Sequence, residues 1–391
     1  MIPLMKHAFL NEFETKKALA DFILKTDKLS MDRKCIEFEI EFSKMQGRKF
    51  GVLFNSGGSA NLAILQALRN MGKIKNGSKI GFSALTWSTN VMPIIQLGFE
   101  PVPIDCEINT LNVSSRKLIE RINKTHLHAF FLTNALGFVD DIENIRDICF
   151  EKKIILLEDN CESLGTEVTF GKTGNFGLCS SFSFFVAHHM STIEGGMVCC
   201  DDSEFVEMLK IVRANGWDRN LSSEQQKKWR KRFNIKSEFL AKYSFYELGY
   251  NLRPTEITGF LGLYQLQFLD ENIKKREENY KKIEQVIITN NDFIYLKHDH
   301  IKRLSTFAIP IVCKSPKLRN YYLSQFSGAG IEVRPMIAGN MQNQPFYKKY
   351  VNTIYNLDGA DFIHGCGFYC GNYPDLSEND LETISSCLYQ L

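Results

Sequence analysis

The segment at residues 181–196 has the sequence SFSFFVAHHMSTIEGG and joins two short apolar runs. Such runs, bounded by small residues, are typical of strands that are covered on both faces of a sheet. The turn between them contains the adjacent histidines His188 and His189, and the nearest lysines on either side are Lys172 and Lys210. The segment therefore predicts two buried strands joined by a turn that contains imidazole but no primary amine.

The same alternation of apolar runs and helical patterns extends outward, from about residue 50 to residue 215. Seven runs are predicted strands: 51–54, 79–83, 101–104, 129–133, 154–158, 180–185 and 196–200. Between them lie amphipathic stretches, of which 140–152 and 203–214 are predicted helices. This β/α alternation predicts an α/β fold with a mostly parallel, seven-stranded sheet flanked by helices on both faces.

The chain length and a change of pattern near residue 255 predict two domains. The 391 residues are more than a single hydrophobic core usually serves. Residues 1–255 form the predicted large domain, with an insertion at about 218–245, and residues 256–391 form a smaller C-terminal α+β domain. The elements predicted for the smaller domain are a linking helix at 256–269, helices near 271–289, 316–327 and 377–389, and strands near 306–312 and 331–334.

Composition and charge favour a cytoplasmic protein without nucleic-acid or membrane partners. Hydrophobic residues make up 44% of the chain, charged residues 24%, and the formal net charge is +2. The chain has no apolar stretch of about 18 residues and no signal-peptide pattern at its start. Eleven scattered cysteines, with no C-x-x-C pair, indicate reduced thiols and no metal site.

One basic run, residues 227–232, could attract a diphosphate or, with Trp229 in its centre, a nucleic acid. The near-zero net charge and the shortness of the run favour a solvated surface helix instead.

A glycine-containing loop, NSGGSA at residues 55–60, follows the first predicted strand and precedes a helix. Gly57 and Gly58 let the backbone approach a ligand closely, and a helix N-terminus that includes Ser59 offers free N–H groups that suit a phosphate. The alternative is an ordinary strand-to-helix turn in which Ser59 is the N-cap.

Three further residues are candidates for binding the same ligand. Asp159 ends the fifth predicted strand, at the edge of the sheet where α/β proteins bind ligands, although a helix-capping aspartate is the alternative. Trp87 could stack on an aromatic ring, although a lone tryptophan is usually a core residue. Ser183 offers a hydroxyl, although it could equally be a polar strand position.

The order and spacing of these features resemble the DegT family of sugar aminotransferases. Two later segments extend the resemblance, GYNLRP at 249–254 and GIEVRP at 330–335, so that it covers residues 35–390. It implies the fold type I architecture of aminotransferases that depend on pyridoxal 5'-phosphate (PLP). It also implies that Asp159 contacts the pyridine nitrogen, that Trp87 stacks on the ring and that Ser183 and the glycine loop bind the phosphate.

The resemblance assigns roles to four more residues. Glu162 stands where the family usually has glutamine and would bond to the ring hydroxyl, with a solvated glutamate as the alternative. Asn251 would reach the cofactor phosphate of a neighbouring subunit, which implies a homodimer with shared active sites. Arg334 and Asn215 are the candidate substrate contacts, and the planar fork of Arg334 suits diphosphate oxygens.

His188 stands where the family has the lysine that binds PLP covalently. Histidine in this position resembles the family's sugar-nucleotide 3-dehydratases, which use non-covalent pyridoxamine phosphate (PMP). The resemblance implies loss of the C3 hydroxyl from a nucleotide-linked 4-keto-6-deoxy sugar, with PMP regenerated from L-glutamate. The product would be a 4-keto-3,6-dideoxy sugar for lipopolysaccharide or capsule. A histidine titrates near neutrality and suits the role of general base, for which His189 is the competing residue.

Several alternatives remain at this stage. GDP is the favoured nucleotide and CDP the second, because the chain lacks the C-x-C pair of the iron–sulfur-dependent CDP-sugar enzymes. The rival functions are an aminotransferase-like enzyme on the same sugars and a non-catalytic protein that binds cofactor or sugar. The missing lysine counts against the first rival, and the presence of Asp159, Ser183 and Asn251 counts against the second.

Overall fold

The computed structural model describes residues 1–389, and its centre is a seven-stranded sheet in the order β1-β9-β8-β5-β4-β2-β3. Strand β9 runs antiparallel to both of its neighbours, and the other pairs in this sheet are parallel. The strands are β1 (Phe50–Phe54), β2 (Lys79–Ser83), β3 (Glu100–Ile104), β4 (Ala129–Thr133), β5 (Ile155–Asp159), β6 (Glu167–Val168), β7 (Gly171–Lys172), β8 (Cys179–Ser183), β9 (Gly196–Cys200), β10 (Ile301–Arg303), β11 (Ala308–Val312), β12 (Val333–Pro335) and β13 (Gly367–Gly371).

Helices alternate with these strands along the chain, and some of them cover both faces of the main sheet. The helices are α1 (Glu12–Lys25), α2 (Arg33–Gln46), α3 (Gly57–Asn70), α4 (Met92–Gln96), α5 (Ser115–Ile122), α6 (Ile142–Glu151), α7 (Ser203–Arg213), α8 (Ser223–Arg232), α9 (Glu238–Ala241), α10 (Glu256–Leu266), α11 (Leu269–Thr289), α12 (Pro316–Gly328), α13 (Pro345–Tyr350), α14 (Asp358–Cys366) and α15 (Glu378–Ser386). Helices α3, α4 and α7 share one apolar cluster with the sheet, while α2, α5 and α6 pack on its other face. The predicted α/β class and the mostly parallel seven-stranded sheet are therefore confirmed.

The strands of the main sheet are apolar because helices cover both of its faces. All five positions of β4, in the middle of the sheet, are buried. In β1, Val52 and Phe54 pack towards α3 and α7, whereas Leu53 packs towards α2. Alternate residues thus enter different cores, so neither face of the strand needs polar side chains.

The C-terminal part contains a second, antiparallel sheet in the order β11-β13-β12, packed with α11, α12, α14 and α15 in a separate apolar cluster. The predicted helix 256–269 has the wrong C-terminal end, because α10 ends at Leu266 and α11 begins at Leu269. The predicted strand 331–334 begins later, at Val333, and its partner β13 was not predicted. The division into domains at residues 255 and 256 stays a prediction.

The basic run forms helix α8, and its tryptophan is part of the core. Trp229 is 5% exposed and stacks with Phe233. Arg230 pairs with Asp218, and Arg232 lies over the Trp229 ring. These contacts fit the interpretation of a surface helix with one buried face. Within residues 1–389, no helix has both the length and the hydrophobicity that a bilayer span requires.

Candidate active site

His188 lies in the turn between β8 and β9, and its ring is held by a main-chain acceptor. Its Nδ1 lies 2.7 Å from the carbonyl oxygen of Cys161. A carbonyl oxygen can only accept, so Nδ1 carries the proton and Nε2 keeps its lone pair. Burial lowers the pKa of His188 to about 4, although its bond to Cys161 and the charge of Asp159 act in the opposite direction. The ring is therefore neutral at pH 7, with Nε2 as the basic atom.

His189 points the other way. It is fully buried, and its Nε2 lies 3.1 Å from the carbonyl oxygen of Ser305. It is absent from the described residues that line the cavity next to His188. The geometry therefore favours His188 over His189 as the base.

A cavity of about 490 Å³ opens beside His188 at the carboxyl ends of the parallel strands. Seven of the predicted site residues line it: Gly57, Gly58, Trp87, Asp159, Glu162, Ser183 and His188. Other residues that line it were not predicted from the sequence, among them Ser56, Thr89, Asn90, Thr133, Cys161, Phe307 and Tyr369. Phe307 and Tyr369 come from the C-terminal part of the chain, so the cavity lies between this part and the main sheet.

The glycine loop forms a close-packed cradle at the start of α3. Ser56 is the N-cap, because its hydroxyl accepts the N–H of Ser59 at 3.1 Å. The alternative in which Ser59 is the cap is therefore wrong, and Ser59 does not line the cavity. The N–H groups of Gly57 and Gly58 belong to the first helical turn, where no preceding helical carbonyl can accept them, and they remain available to an anion.

Side chains would not fit at two of the glycines around this cradle. A Cβ atom on Gly57 would lie 2.7 Å from Cβ of Ser183. A Cβ atom on Gly196, in the Glu-Gly-Gly segment, would lie 2.2 Å from the carbonyl oxygen of Ser56. These contacts bring the Ser183 hydroxyl next to the helix start, so that both can bind one phosphate group.

Asp159 is a buried carboxylate that accepts three hydrogen bonds from amide groups. Its Oδ2 accepts the side-chain N–H groups of Asn61 and Asn90, both at 2.8 Å, and its Oδ1 accepts the main-chain N–H of Cys161 at 2.9 Å. In the part of the chain that the structure describes, no cationic side chain therefore balances the charge of this carboxylate. A protonated pyridine nitrogen would do so, and this fits the role expected of Asp159.

Glu162 lies near Asp159 on the cavity wall. Its Oε2 accepts the main-chain N–H of Leu136 at 3.0 Å. Burial raises the pKa of Glu162, the bond from Leu136 lowers it and the charge of Asp159 raises it, with a net value of about 8. At pH 7 the carboxyl group therefore carries a proton and can donate a hydrogen bond, as the amide of a glutamine would.

The structure does not bring the remaining predicted residues into this cavity. Asn251 is exposed, and its Oδ1 accepts a bond from Arg253. Asn215 is exposed in a left-handed backbone conformation with φ of 60°. Arg334 pairs with Glu332 on the surface. No stretch of the described chain gathers three or more His, Cys, Asp or Glu side chains in a metal-binding arrangement.

Taken together, the residues of the cavity fit a phosphorylated pyridine cofactor. The helix start and Ser183 suit the phosphate, the Asp159 carboxylate suits the ring nitrogen, and Trp87, which is 54% exposed, can cover the ring. His188 lines the same cavity.

Comparison with known proteins gives consistent matches along almost the whole chain. The sequence model of the DegT/DnrJ/EryC1/StrS aminotransferase family matches residues 11–389. The GDP-4-keto-6-deoxy-D-mannose 3-dehydratase of Escherichia coli O55:H7 is 33% identical over 360 residues, which are 90% of this chain and 90% of that protein.

Two solved structures superpose closely on this chain. A GDP-4-keto-6-deoxymannose-3-dehydratase with a trapped PLP-glutamate geminal diamine gives a TM-score of 0.90 at 30% identity, over 99% of this chain and 100% of the other. A histidine-to-asparagine variant of a protein with the same name, with bound GDP-perosamine, gives a TM-score of 0.89 at 30% identity and the same coverage.

Proposed function

This chain belongs to the DegT/DnrJ/EryC1/StrS aminotransferase family, and on that premise we propose that it is a PLP/PMP-dependent sugar-nucleotide 3-dehydratase. It removes the C3 hydroxyl of a GDP-linked 4-keto-6-deoxy sugar and gives a 4-keto-3,6-dideoxy sugar. The observation that carries the proposal is the position of His188 at the cavity, where the family has its PLP-binding lysine. No lysine is among the described residues that line the cavity.

When bound, PMP would supply a primary amine for the C4 ketone of the sugar and a ring that can accept electrons. The residues of this chain hold the cofactor and fix its protons. Asp159 would stabilise a proton on the pyridine nitrogen, and Glu162, whose raised pKa keeps it protonated, would donate to the ring hydroxyl. The first turn of α3 and Ser183 would bind the phosphate, and Trp87 would cover the ring.

Nε2 of His188 is the atom that accepts and returns protons. Because the pKa of His188 is about 4, the lone pair of Nε2 is free near pH 7. Once protonated, Nε2 donates its proton to the departing C3 oxygen. Nδ1 keeps its bond to the Cys161 carbonyl, so proton exchange is confined to Nε2.

L-Glutamate is the proposed donor that restores the amine. In the complete reaction the sugar loses one oxygen atom, and glutamate becomes 2-oxoglutarate and ammonia. Support comes from the relatives, of which one was solved with a PLP-glutamate adduct and one with GDP-perosamine. For the diphosphate, we propose that Arg334 leaves Glu332 and binds phosphate oxygens. We also propose that Asn215 contacts the substrate.

We also propose a homodimer in which Asn251 of each subunit completes the site of the other. Asn251 is exposed and does not line the cavity of its own chain, which leaves it free to serve a second one. Helix α2 supports an interface, because Ile36 and Ile40 lie one turn apart and are 49% and 57% exposed. The eleven free cysteines suit a reducing compartment, and we propose that the enzyme works in the cytoplasm.

Two measurements test the function. First, the purified protein is mixed with PLP and L-glutamate, and we expect the PLP absorbance to change to that of PMP. Second, a panel of GDP- and CDP-linked 4-keto-6-deoxy sugars is incubated with PLP and L-glutamate and analysed by mass spectrometry. We expect a GDP-linked product that lacks one oxygen atom and keeps its ketone.

The alternatives give different products in the second assay. An aminotransferase would replace the keto oxygen by an amino group and retain the C3 hydroxyl. A non-catalytic binder would leave both the PLP spectrum and the sugars unchanged. Either result would contradict the proposal, and a product from CDP-sugars alone would correct the nucleotide.

A further inference from the structure

Two side chains of α11, Asn272 and Arg276, bond to the main chain of the histidine turn. The side-chain N–H of Asn272 donates to the carbonyl oxygen of His189 at 2.5 Å. Arg276 donates from Nη2 to the carbonyl oxygen of His188 at 3.2 Å. The two side chains also bond to each other, because Nε of Arg276 donates to Oδ1 of Asn272 at 2.7 Å. Helix α11 therefore fixes both carbonyl groups of the turn.

The bonding pattern of Arg276 is unusual for a buried arginine. Its side chain is 1% exposed, and burial lowers its pKa to about 9. All of its hydrogen-bond acceptors in the described chain are neutral oxygens. Burying a guanidinium group without a carboxylate partner costs free energy, which a purely packing role could avoid with an apolar side chain.

The same guanidinium group connects the turn to the C-terminal part of the chain. Its Nη1 donates to the carbonyl oxygen of Phe307, at 2.9 Å, and to that of Asn372. The Phe307 ring lies against the His188 ring, with their centres 5.1 Å apart. Arg276 thus bonds to the main chain of both His188 and the aromatic residue that packs on it.

We propose that Asn272 and Arg276 are positioning residues that hold the His188 turn in the orientation required for proton transfer. The inference rests on the proposed function, in which Nε2 of His188 is the base. The bond from His188 to the Cys161 carbonyl fixes the ring at one end, and α11 fixes the main chain at the other. Loss of α11 contacts would let the turn move, and displacement of a reacting group by about 1 Å can cost as much as about 100-fold in rate.

The chain offers a matched control on the same helix. Asn279 is as exposed as Asn272, 8% in each case, and it also donates to main-chain and side-chain oxygens of the C-terminal part. It makes no hydrogen bond to the histidine turn among the described contacts. The variants Asn272→Ala and Asn279→Ala each remove two buried hydrogen bonds, and only the first releases the turn.

The first readout is independent of turnover and uses the cofactor-free protein. Hydrogen exchange is measured in peptides that cover residues 185–192, where the N–H groups of His188 and Thr192 bond to Phe185 and Phe184. We expect exchange to be at least about 10-fold faster in Asn272→Ala and unchanged in Asn279→Ala. Equal exchange in both variants would overturn the inference, whatever the activity of the enzyme.

The second readout is the kinetics of the loaded enzyme. We expect Asn272→Ala to lower kcat by about 10-fold or more with KM within about twofold, while Asn279→Ala changes neither by more than about twofold. Arg276→Lys, which keeps one charge and some donors, should retain more kcat than Arg276→Met. If both asparagine variants lose kcat equally, the proposed positioning is wrong. A wild-type protein without turnover, but with a turn that Asn272→Ala loosens, would instead contradict the proposed function.

Discussion

Replacing His188 with lysine should convert the cofactor site from non-covalent to covalent binding. A lysine in the turn would place a primary amine at the cavity that holds Asp159 and Ser183. We expect His188→Lys to bind PLP covalently, seen as a shifted absorbance and as a pyridoxyl group retained after borohydride reduction, and to lose dehydration. The wild-type protein treated in the same way should retain no pyridoxyl group. A reduced pyridoxyl–lysine in the wild type would contradict the assignment of this cavity.

Glu162 should make the stability of the cofactor-free protein fall as pH rises. Its pKa is raised from 4.5 in the unfolded chain to about 8 in the folded chain, so the folded protein holds a neutral carboxyl group that the unfolded chain ionises. Stability from this difference is complete below pH 4.5 and is lost as pH rises through about 8. The variant Glu162→Gln has no ionisable group at this position, so its stability does not fall with pH for this reason.

The measurement is the difference in Tm between Glu162→Gln and the wild type, recorded from pH 4.5 to pH 9. We expect the difference to increase in favour of Glu162→Gln and to level off above about pH 8. A difference that is independent of pH would show that the carboxyl group is ionised in the folded protein.

At the scale of single residues, the sequence predicted the chemistry of the site better than its supporting contacts. His188 and Asp159 follow predicted strand ends, Ser183 lies near one, and strand ends of a parallel sheet meet at one edge. The residues that support them, such as Asn61 and Asn90 around Asp159, lie within a helix or a short turn. Their role could not be predicted from the sequence, because only the fold brings both amides to the Asp159 carboxylate.

At the scale of elements, the start of α3 makes a specific prediction about a glycine. Gly57→Ala would place a methyl group 2.7 Å from Cβ of Ser183, so the start of α3 and the end of β8 must move apart. We expect at least about a 10-fold loss of PLP affinity in an absorbance titration, since the phosphate needs both elements. Gly328→Ala is the matched control, because nothing lies within 4 Å of its added Cβ atom. Equal affinities in the two variants would contradict the assignment of the phosphate cradle.

The predicted strands of the main sheet agree with the structure, because each is an apolar run between small or polar residues. Strands β2, β4 and β9 have the predicted bounds, and the other four differ by one or two residues at one or both ends. Helix α2 was not predicted, and its sequence shows why: residues 35–42 alternate apolar and charged side chains, a pattern typical of strands. It is a helix with two apolar stripes, in which Phe38 and Phe42 face the core while Ile36 and Ile40 are exposed.

The unpredicted strand β13 has a different cause. Its sequence, GFYCG, has a glycine at each end and resembles a loop. It is a strand because β11 and β12 pair with it on both sides. Such pairing between distant segments is a tertiary effect that local propensity cannot supply.

At the scale of the whole molecule, the proposed shared active site predicts complementation between two defective variants. His188→Asn lacks the base, and Asn251→Ala lacks the group proposed to serve the neighbouring site. A mixed dimer of the two contains one complete site, because the intact His188 and the intact Asn251 then meet. After random reassociation at limiting PLP, we expect about a quarter of the wild-type activity.

Activity in the mixture is compared with that of each variant alone, at the same total protein and after the same dissociation and reassociation steps. A mixture no more active than the average of the two variants would show that Asn251 does not act across an interface. Size-exclusion chromatography with light scattering gives the oligomeric state of each sample independently.

Because a main-chain carbonyl orients His188, the orientation of the base tolerates mutation of the side chain at position 161. Many enzymes orient a catalytic imidazole with a carboxylate side chain, which a single codon change can delete. Here the orienting oxygen belongs to the polypeptide backbone, so every amino acid at position 161 still provides it. Random drift at that site can therefore alter the thiol while leaving the tautomer of the base intact.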